Sequence, residues 1–155
     1  MSEVSIVEYE DRHAAEFRDL NLSWIEEYFE IEDIDRRQLL DPRSSILNPG
    51  GAILVAETPE GVVGVCALSY EGPGHYELTK MAVRKGLRDQ GVGRKLISEA
   101  ISQAKNLGAS KISIISNTLL EPAIHLYRTV GFTEVALPEG LEYARGNIAL
   151  ELQLP

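Results

Sequence analysis

The sequence predicts one mixed α/β domain, in which a mostly antiparallel sheet carries helices on its faces. The chain has 155 residues, which is the size of a single domain. β-rich runs and amphipathic runs follow one another without a linker, an internal repeat or a low-complexity tract. One strand, helix, strand unit lies within an otherwise antiparallel order, which requires one right-handed parallel crossover. We therefore treat 1–155 as one domain.

The first half of the chain predicts a strand, two helices and three further strands. Residues 5–9 alternate apolar and polar side chains, as a strand does. Residues 13–28 carry apolar side chains at helical spacing, and a short helix over 33–42 begins at an aspartate cap and is stopped by a proline. The turns "TPEG" and "EGPG" separate three β-rich runs, which predicts an antiparallel meander: 52–58, 62–70 and 75–83.

The second half predicts two helices and three strands. An apolar stripe from Val92 to Leu107 marks a long helix, and Gly108 stands where a C-terminal cap belongs. Residues 111–115 form a buried strand, and "EPAIHLYRTVGF" forms a helix with a proline near its start and a glycine at its end. Two last strands are expected near 132–137 and 143–154.

Charge limits the classes of partner. The net charge is −9, and a field of this sign repels phosphate backbones and anionic membrane surfaces. We therefore expect neither nucleic acid nor a membrane as a partner. The acidity serves either solubility or the attraction of a cationic substrate, and composition does not choose between them.

Cysteine and histidine usage limits covalent and metal chemistry. The single cysteine, Cys66, lies in an apolar run, which excludes a disulfide framework and predicts a buried, inert thiol. No leader-like start and no apolar run of membrane-spanning length is found, so we expect a cytoplasmic protein. The three histidines share no metal-ligand spacing, and we predict no metal site.

A glycine bend, "LRDQGVGRKLI" (87–97), precedes the long helix. Gly91 and Gly93 allow close approach to the main chain, and a helix start leaves about four unpaired N–H groups with a partial positive charge. Arginines and lysines flank the bend, which favours a phosphate or pyrophosphate ligand. The Walker pattern, a glycine followed after four residues by Gly-Lys-Ser/Thr, does not occur here. The dinucleotide fingerprint does not fit either, because "GVGRKL" has a leucine where the third glycine is needed.

Arg88, Gly91 and Gly93 form the pattern Arg-x-x-Gly-x-Gly between the meander and the long helix. Together with "ISN" after the buried strand and "AIHLYRTVGF", this pattern resembles the GNAT superfamily of N-acetyltransferases over nearly the whole chain. The resemblance implies a single-domain acyl-CoA N-acyltransferase fold, with the sheet splayed between its fourth and fifth strands.

The resemblance also implies acetyl-CoA as co-substrate and a set of binding residues. The pantetheine arm would pair with the backbone of Met81, Ala82 and Val83, and Asn117 would bond it from the other side. From sequence alone Asn117 is equally well a loop or cap residue. The pyrophosphate would be held by the amides of the bend, from Arg88, Asp89, Gln90, Gly91, Val92, Gly93 and Arg94.

Two residues match the family's acid and base positions. A lysine-like amine of pKa ~10.4 is only about one part in a thousand unprotonated at pH 7, so a base must take its proton. Glu77 matches the position of the base, directly or through water, and Tyr127 matches the acid that protonates the leaving thiolate. An N–H near Val83 would stabilise the oxyanion. Without the family, Glu77 would be a surface carboxylate and Tyr127 a core tyrosine.

The predicted function is transfer of an acetyl group from acetyl-CoA to a primary amine of a small molecule or protein, by direct attack in a ternary complex. Glu27 and Tyr28, in "WIEEYFEIED", are candidate acceptor contacts, although these carboxylates also suit a solvated helix face. The alternatives are a non-catalytic acyl-CoA sensor or structural domain and a nucleotide-binding module of another fold. Homodimers are common in the family, and the sequence leaves the oligomeric state open.

Overall fold

A computed structural model describes residues 3–87 and 91–155. The strands are β1 Ser5–Glu8, β2 Ala52–Thr58, β3 Gly61–Gly72, β4 His75–Val83, β5 Lys111–Ser116, β6 Thr133–Val135 and β7 Ile148–Gln153. The helices are α1 Ala14–Tyr28, α2 Asp33–Leu40, α3 Val92–Asn106 and α4 Glu121–Thr129, with a 3₁₀ turn Asp11–His13 before α1 and a π turn Arg43–Leu47 after α2. Within these ranges no helix is long and apolar enough to cross a membrane.

In the part of the chain that the structure describes, one sheet of seven strands runs in the order β1-β2-β3-β4-β5-β7-β6. Each neighbouring pair is antiparallel except β4 and β5, which are parallel as the single crossover through α3 requires. The predicted mixed sheet with an antiparallel meander is therefore confirmed.

A helical layer covers each face of the sheet. On one face α3 buries the predicted apolar stripe, including Leu96 and Ile97, against β3 and its neighbours. On the other face Phe17 and Ile25 of α1 pack against the opposite sides of the meander strands. The alternation of apolar side chains along β2 and β3 supplies both cores, because successive residues point to opposite faces.

The gap in the sheet lies between β4 and β5. These strands pair only over His75–Glu77 and Lys111–Ser113, and beyond that point they separate. This confirms the predicted splay. On its other side β4 stays paired with β3, but with a bulge, because Lys80 and Met81 together oppose a single residue. Lys80 adopts a positive φ of 52° at the bulge, which places the side chains of Thr79 and Lys80 on the same face.

Two local predictions are wrong. The N-cap of α2 is Glu32, not an aspartate, because Glu32 and Asp35 form a reciprocal capping box. The last two strands are shorter than predicted, and residues 136–147 form a loop. Part of this loop is held by α2 instead of by a strand: the Glu32 carboxylate accepts hydrogen bonds from the backbone N–H groups of Ala144 at 2.7 Å and Arg145 at 3.3 Å.

Candidate functional site

A cleft of about 260 Å³ occupies the gap between β4 and β5. One side, which we call the α4 wall, is largely apolar. It is formed by Gly93, Ile114, Leu120, Pro122, Ala123, Leu126 and Tyr127. The opposite side, which we call the α1 wall, combines aromatic and charged side chains. It is formed by Trp24, Tyr28, Phe29, Thr79, Lys80, Tyr143 and Arg145.

The backbone of β4 faces this gap. The N–H of Arg84 donates to the Val63 carbonyl of β3 at 2.8 Å. Because N–H groups alternate sides along a strand, the N–H of Val83 faces the cleft and that of Ala82 faces β3. Met81, Ala82 and Val83 all line the cleft. The alternation directs the Val83 N–H into the cleft, where an extended ligand would pair with it as an added half-strand.

The glycine bend has two different physical requirements. Gly91 caps α3 with a left-handed φ of 79°, and a Cβ there would meet no atom within 4 Å, so the need is conformational. At Gly93 the need is space, because a Cβ would lie 3.2 Å from Leu126 Cδ2.

Apart from Gly93, the predicted pyrophosphate-binding residues fall in three places. Gly91 and Arg94 line a second, shallow cavity at the helix start, and Val92 is buried in the core. The predicted Arg88, Asp89 and Gln90 lie outside the described residues.

Asn117 lies where the two walls meet. Its side-chain Nδ2 donates to the Arg145 carbonyl at 2.8 Å, and its Oδ1 accepts from the N–H of Leu119 at 2.8 Å. These bonds make it a loop-forming residue, which is one of the two interpretations left open by the sequence. Asn117 also lines the cleft, and an amide nitrogen carries a second N–H, so binding of a ligand is compatible with this loop role.

Glu77 is partly buried on the face of β4 that also carries Thr79 and Lys80. Burial, together with the nearby negative charges of Glu71 and Glu142, raises the pKa of Glu77 to about 7, although Lys80 acts in the opposite direction. A carboxyl group with this pKa exchanges its proton near neutral pH. Glu77 is not among the described residues that line the cleft; it lies at the last position where β4 pairs with β5, before the strands separate.

Tyr127 lies in the α4 wall and is 8% exposed. None of the described hydrogen bonds involves its hydroxyl, which belongs to a cleft-lining side chain. Burial raises the pKa of Tyr127, so the phenol stays protonated at neutral pH. The neighbouring Cys66 is fully buried and burial raises its pKa to about 12, which makes it an inert thiol.

The two candidate acceptor contacts fall in different places. Tyr28 is 44% exposed and lines the mouth of the cleft. Glu27 is not among the described lining residues, and its carboxylate lies 3.5 Å from Lys85 Nζ. The structure therefore brings only Tyr28 to the cleft.

A buried ionic network behind the α1 wall was not predicted from the sequence. Asp35 of α2 is fully buried and accepts two hydrogen bonds from Arg145, both at 2.7 Å, while Lys80 Nζ lies 3.0 Å from the same carboxylate. Lys80 also donates to the Tyr143 hydroxyl at 2.8 Å. Burial would raise the pKa of Asp35, but Arg145 and Lys80 outweigh it and lower the pKa to about 2.

One sequence signal could have revealed part of this network. Lys80 stands at an inward position of the alternating run "HYELTKMAV", where a lysine is unusual. The partners Asp35 and Arg145 gave no comparable signal, because they are 110 positions apart in the chain.

Comparison with known proteins agrees with this architecture. A structure of an acetyltransferase of the GNAT family from Staphylococcus aureus, 24% identical, covers 99% of this chain and 100% of its own with a TM-score of 0.89. A Salmonella typhimurium protein solved with its cofactor acetyl-CoA, 20% identical, covers 98% of this chain and 94% of its own with a TM-score of 0.74. At these identities the likeness concerns the fold.

Sequence relatives cover less of the chain. Proteins named as uncharacterized N-acetyltransferases from Schizosaccharomyces pombe and Bacillus subtilis are each 31% identical over 97 residues, which are 61% of this chain. The matches span 60% and 63% of those relatives' own lengths, so the chain covers less than two thirds of each. The model described as the acetyltransferase (GNAT) family matches residues 14–132, and the chain belongs to that family.

Proposed function

We propose that this protein is an N-acetyltransferase that moves the acetyl group of acetyl-CoA to a primary amine by direct attack in a ternary complex. The observation that carries the proposal is the gap between β4 and β5, into which the N–H of Val83 faces. Glu77, a carboxyl group with a pKa of about 7, lies at the last paired position before this gap, and the hydroxyl-bearing Tyr127 lines the cleft. Family membership and the names of the relatives support the same activity.

The binding assignment follows from the two ends of the cleft. The backbone of Met81 and Val83, with a contribution from Ala82, binds the extended pantetheine arm, and Asn117 contacts it with its remaining N–H. The start of α3 holds the pyrophosphate, with amides of the glycine bend and the charge of Arg94. The left-handed Gly91 and the gap fit this ligand, whose thioester supplies the activated acyl group.

Proton transfer is assigned to two side chains. As the N–C bond forms and the C–S bond breaks, Glu77 takes the proton of the attacking amine, and Tyr127 gives its proton to the departing thiolate. Because Glu77 is not among the described residues that line the cleft, a water molecule carries the proton from the amine to Glu77. The Val83 N–H stabilises negative charge on the carbonyl oxygen. Glu77 then releases its proton to solvent, and solvent reprotonates Tyr127.

A second candidate is a non-catalytic acyl-CoA sensor. The position of Glu77 outside the cleft lining favours it, because a base should reach the substrate or a shared water molecule. A sensor would bind acetyl-CoA without releasing CoA thiol in the presence of any amine.

Cellular setting and assembly rest on sequence alone. We place the protein in the cytoplasm, because its one cysteine is a free, buried thiol. We propose that it needs neither nucleic acid nor a membrane as a partner, and, since homodimers are common in the family, that a homodimer is one candidate assembly.

The first experiment is thermal unfolding with acetyl-CoA, CoA, ATP and NAD. A ligand at about a hundred times its Kd adds ~2.7 kcal/mol, which raises the midpoint by about 5–10 °C for a chain of this size. We expect a shift with both CoA species and none with ATP or NAD. Release of thiol from acetyl-CoA in the presence of amines then separates the enzyme from the sensor. A shift with NAD or ATP alone would contradict both candidates.

A further inference from the structure

The charge of the cleft lining is opposite to that of the protein. The chain has 15 Lys and Arg against 24 Asp and Glu, yet the only charged side chains among the described lining residues are Lys80 and Arg145. Both are cations on the α1 wall, and no carboxylate of the described residues lines the cleft. This lining disfavours the cationic acceptor that the overall acidity left open.

Asp35 fixes the position of both cations without entering the cleft. Its Oδ1 accepts from Arg145 Nη2 at 2.7 Å and lies 3.0 Å from Lys80 Nζ, and its Oδ2 accepts from Arg145 Nη1 at 2.7 Å and from the N–H of Glu32 at 2.8 Å. The carboxylate is therefore saturated and has no role left in ligand binding. Its one negative charge faces two positive charges.

Glu32 offsets the second charge only at the edge of the network. The distance from its Oε2 to Arg145 Nη1 is 3.3 Å, longer than either bond to Asp35. Its two oxygens also accept from the backbone N–H groups of Ala144 and Arg145. A more exposed carboxylate with several donors screens the guanidinium less than a buried one does.

The two cations keep hydrogen-bonding capacity. An ammonium has three N–H donors, and Lys80 uses two of them, for Asp35 and for the Tyr143 hydroxyl. A guanidinium has five, and the described residues accept three from Arg145, which leaves its Nε and one Nη2 proton. One ammonium donor and two guanidinium donors on the same wall match the oxygens of a carboxylate.

Aromatic rings hold the guanidinium and shape the space beside it. Its carbon lies 4.8 Å from the ring centre of Tyr143, 5.7 Å from that of Trp24 and 5.8 Å from that of Phe29. The Trp24 ring is itself fixed by a hydrogen bond from Nε1 to Asn21 Oδ1 at 3.0 Å. These contacts preorganise Arg145, so little conformational freedom is lost when it binds an anion.

We propose that the acetyl acceptor is a small amine that also carries a carboxylate, that is, an amino acid, and that Lys80 and Arg145 bind its carboxylate. This inference rests on the acetyltransferase activity proposed above. The acid end of the acceptor lies on the α1 wall, its apolar part lies against Trp24 and Tyr28, and its amine points toward the gap where the Val83 N–H lies.

The first test uses the unaltered protein. Each of the twenty α-amino acids, β-alanine and γ-aminobutyrate is compared with its carboxamide as acceptor, by release of thiol from acetyl-CoA. We expect at least one amino acid to exceed its amide by tenfold or more in kcat/KM. The comparison is conservative, because an α-amide lowers the pKa of the amine and so makes more of it nucleophilic.

The outcomes separate the two proposals. Amides equal to or better than the acids would overturn the inference and leave the acetyltransferase intact. The same conclusion follows if amines without a carboxylate are acetylated but no amino acid is. If acetyl-CoA raises the unfolding midpoint but no amine of either kind is acetylated, the sensor is favoured and both the acetyltransferase and the inference are overturned. If acetyl-CoA gives no shift, the proposed function itself fails and the inference fails with it.

Two variants then assign the residues. Lys80→Met and Arg145→Lys should each raise KM for the amino acid by tenfold or more and remove the preference over the amide, while the acetyl-CoA shift is retained. Arg128→Lys, on the exposed side of α4, is the matched control. A purely structural role would lower the unfolding midpoint and affect acid and amide acceptors equally. Arg145→Lys keeps the charge that Asp35 needs and remains informative if Lys80→Met does not fold.

Discussion

The two walls of the cleft are assembled from the chain in different ways. The α4 wall and the gap-facing backbone of β4 come from one stretch, residues 81–127, in which strand, glycine bend and helix follow in order. The α1 wall combines three distant segments, the end of α1, the bulge of β4 and the loop 136–147. A contiguous stretch can be recognised as a motif, whereas a surface built from distant segments can be found only after folding.

The walls also differ in chemistry. The α4 wall is apolar apart from Tyr127. With the backbone of β4 it suits the proposed co-substrate, acetyl-CoA, which is common to the whole family. The α1 wall holds the two charged side chains and the aromatic rings, which suit one particular acceptor. If the two proposals above hold, recognition of the acceptor resides mainly on the α1 wall, which the sequence motifs do not describe.

The largest expected effect comes from Glu77, the proposed base. Glu77→Gln should lower kcat by about 10²–10⁴-fold, because it removes proton acceptance, while acetyl-CoA still raises the unfolding midpoint. In the unaltered protein, kcat/KM should rise with pH through about 7, the pKa of Glu77, and this rise should be absent in the variant. Glu134→Gln, in an exposed pair with Arg128, is the control. Full activity of Glu77→Gln would remove the base from the mechanism.

The same variant should have the opposite effect on stability. The pKa of Glu77 is raised by folding, so between the unfolded value near 4.5 and about 7 the unfolded state binds fewer protons and the protein loses stability as the pH rises. Glu77→Gln lacks this loss and should unfold at a higher temperature than the unaltered protein at pH 8, with a smaller difference at pH 5. Calorimetry at both pH values measures it, and equal midpoints at pH 8 would argue against a buried carboxyl group.

The network behind the α1 wall should be broken by Asp35→Asn. Removing the counter-ion of two buried cations should cost about 3–5 kcal/mol of unfolding free energy, measured with urea. Because folding lowers the pKa of Asp35 to about 2, its contribution is present above pH 4 and is lost as the pH falls toward 2. Asp33→Asn, on the same helix but 95% exposed, should change stability by less than about 1 kcal/mol. Similar effects of both substitutions would mean that the network is not tightly coupled.

The α4 wall contributes a smaller catalytic effect through Tyr127. Tyr127→Phe should lower kcat by about 10²-fold, the lower end of the range for an acid, because a phenol of pKa ~10 or higher donates weakly to a thiolate whose thiol has a pKa of ~8.5. The loss should shrink with an acyl donor whose leaving thiol is more acidic. Tyr76→Phe, another buried tyrosine of the same core, serves as the control. An unchanged kcat would leave Tyr127 as a core residue only.

The smallest effect is expected at the glycine bend. Gly91→Ala should cost about 1–2 kcal/mol of stability, because an alanine is strained at a φ of 79° although its Cβ meets no neighbour. Gly91→Asn should cost less, since asparagine tolerates left-handed backbone. Urea unfolding of both variants checks the order. If asparagine were as costly as alanine, the need at this position would be space and not conformation.

The local signals of the sequence predict most of the elements, and the resemblance to the GNAT superfamily predicts the gap. The spacing of Leu96 and Ile97 defined α3, and the turns "TPEG" and "EGPG" defined the meander, because these patterns depend on neighbouring residues. The bulge at Lys80 could not be predicted, since it depends on register with β3. The sequence predicts strand over part of the loop 136–147, because the contacts that hold this loop to Glu32 cross more than a hundred positions and leave no local signal.

The bonds from Ala144 and Arg145 to Glu32 span 112 and 113 positions, and they determine when the α1 wall can form. Closing so long a segment costs chain entropy before any contact compensates for it. During synthesis every residue of the α4 wall emerges from the ribosome before residues 143–145 do. The capacity to bind acetyl-CoA should therefore appear first in the growing chain, and discrimination among acceptors should be the last property that the protein acquires.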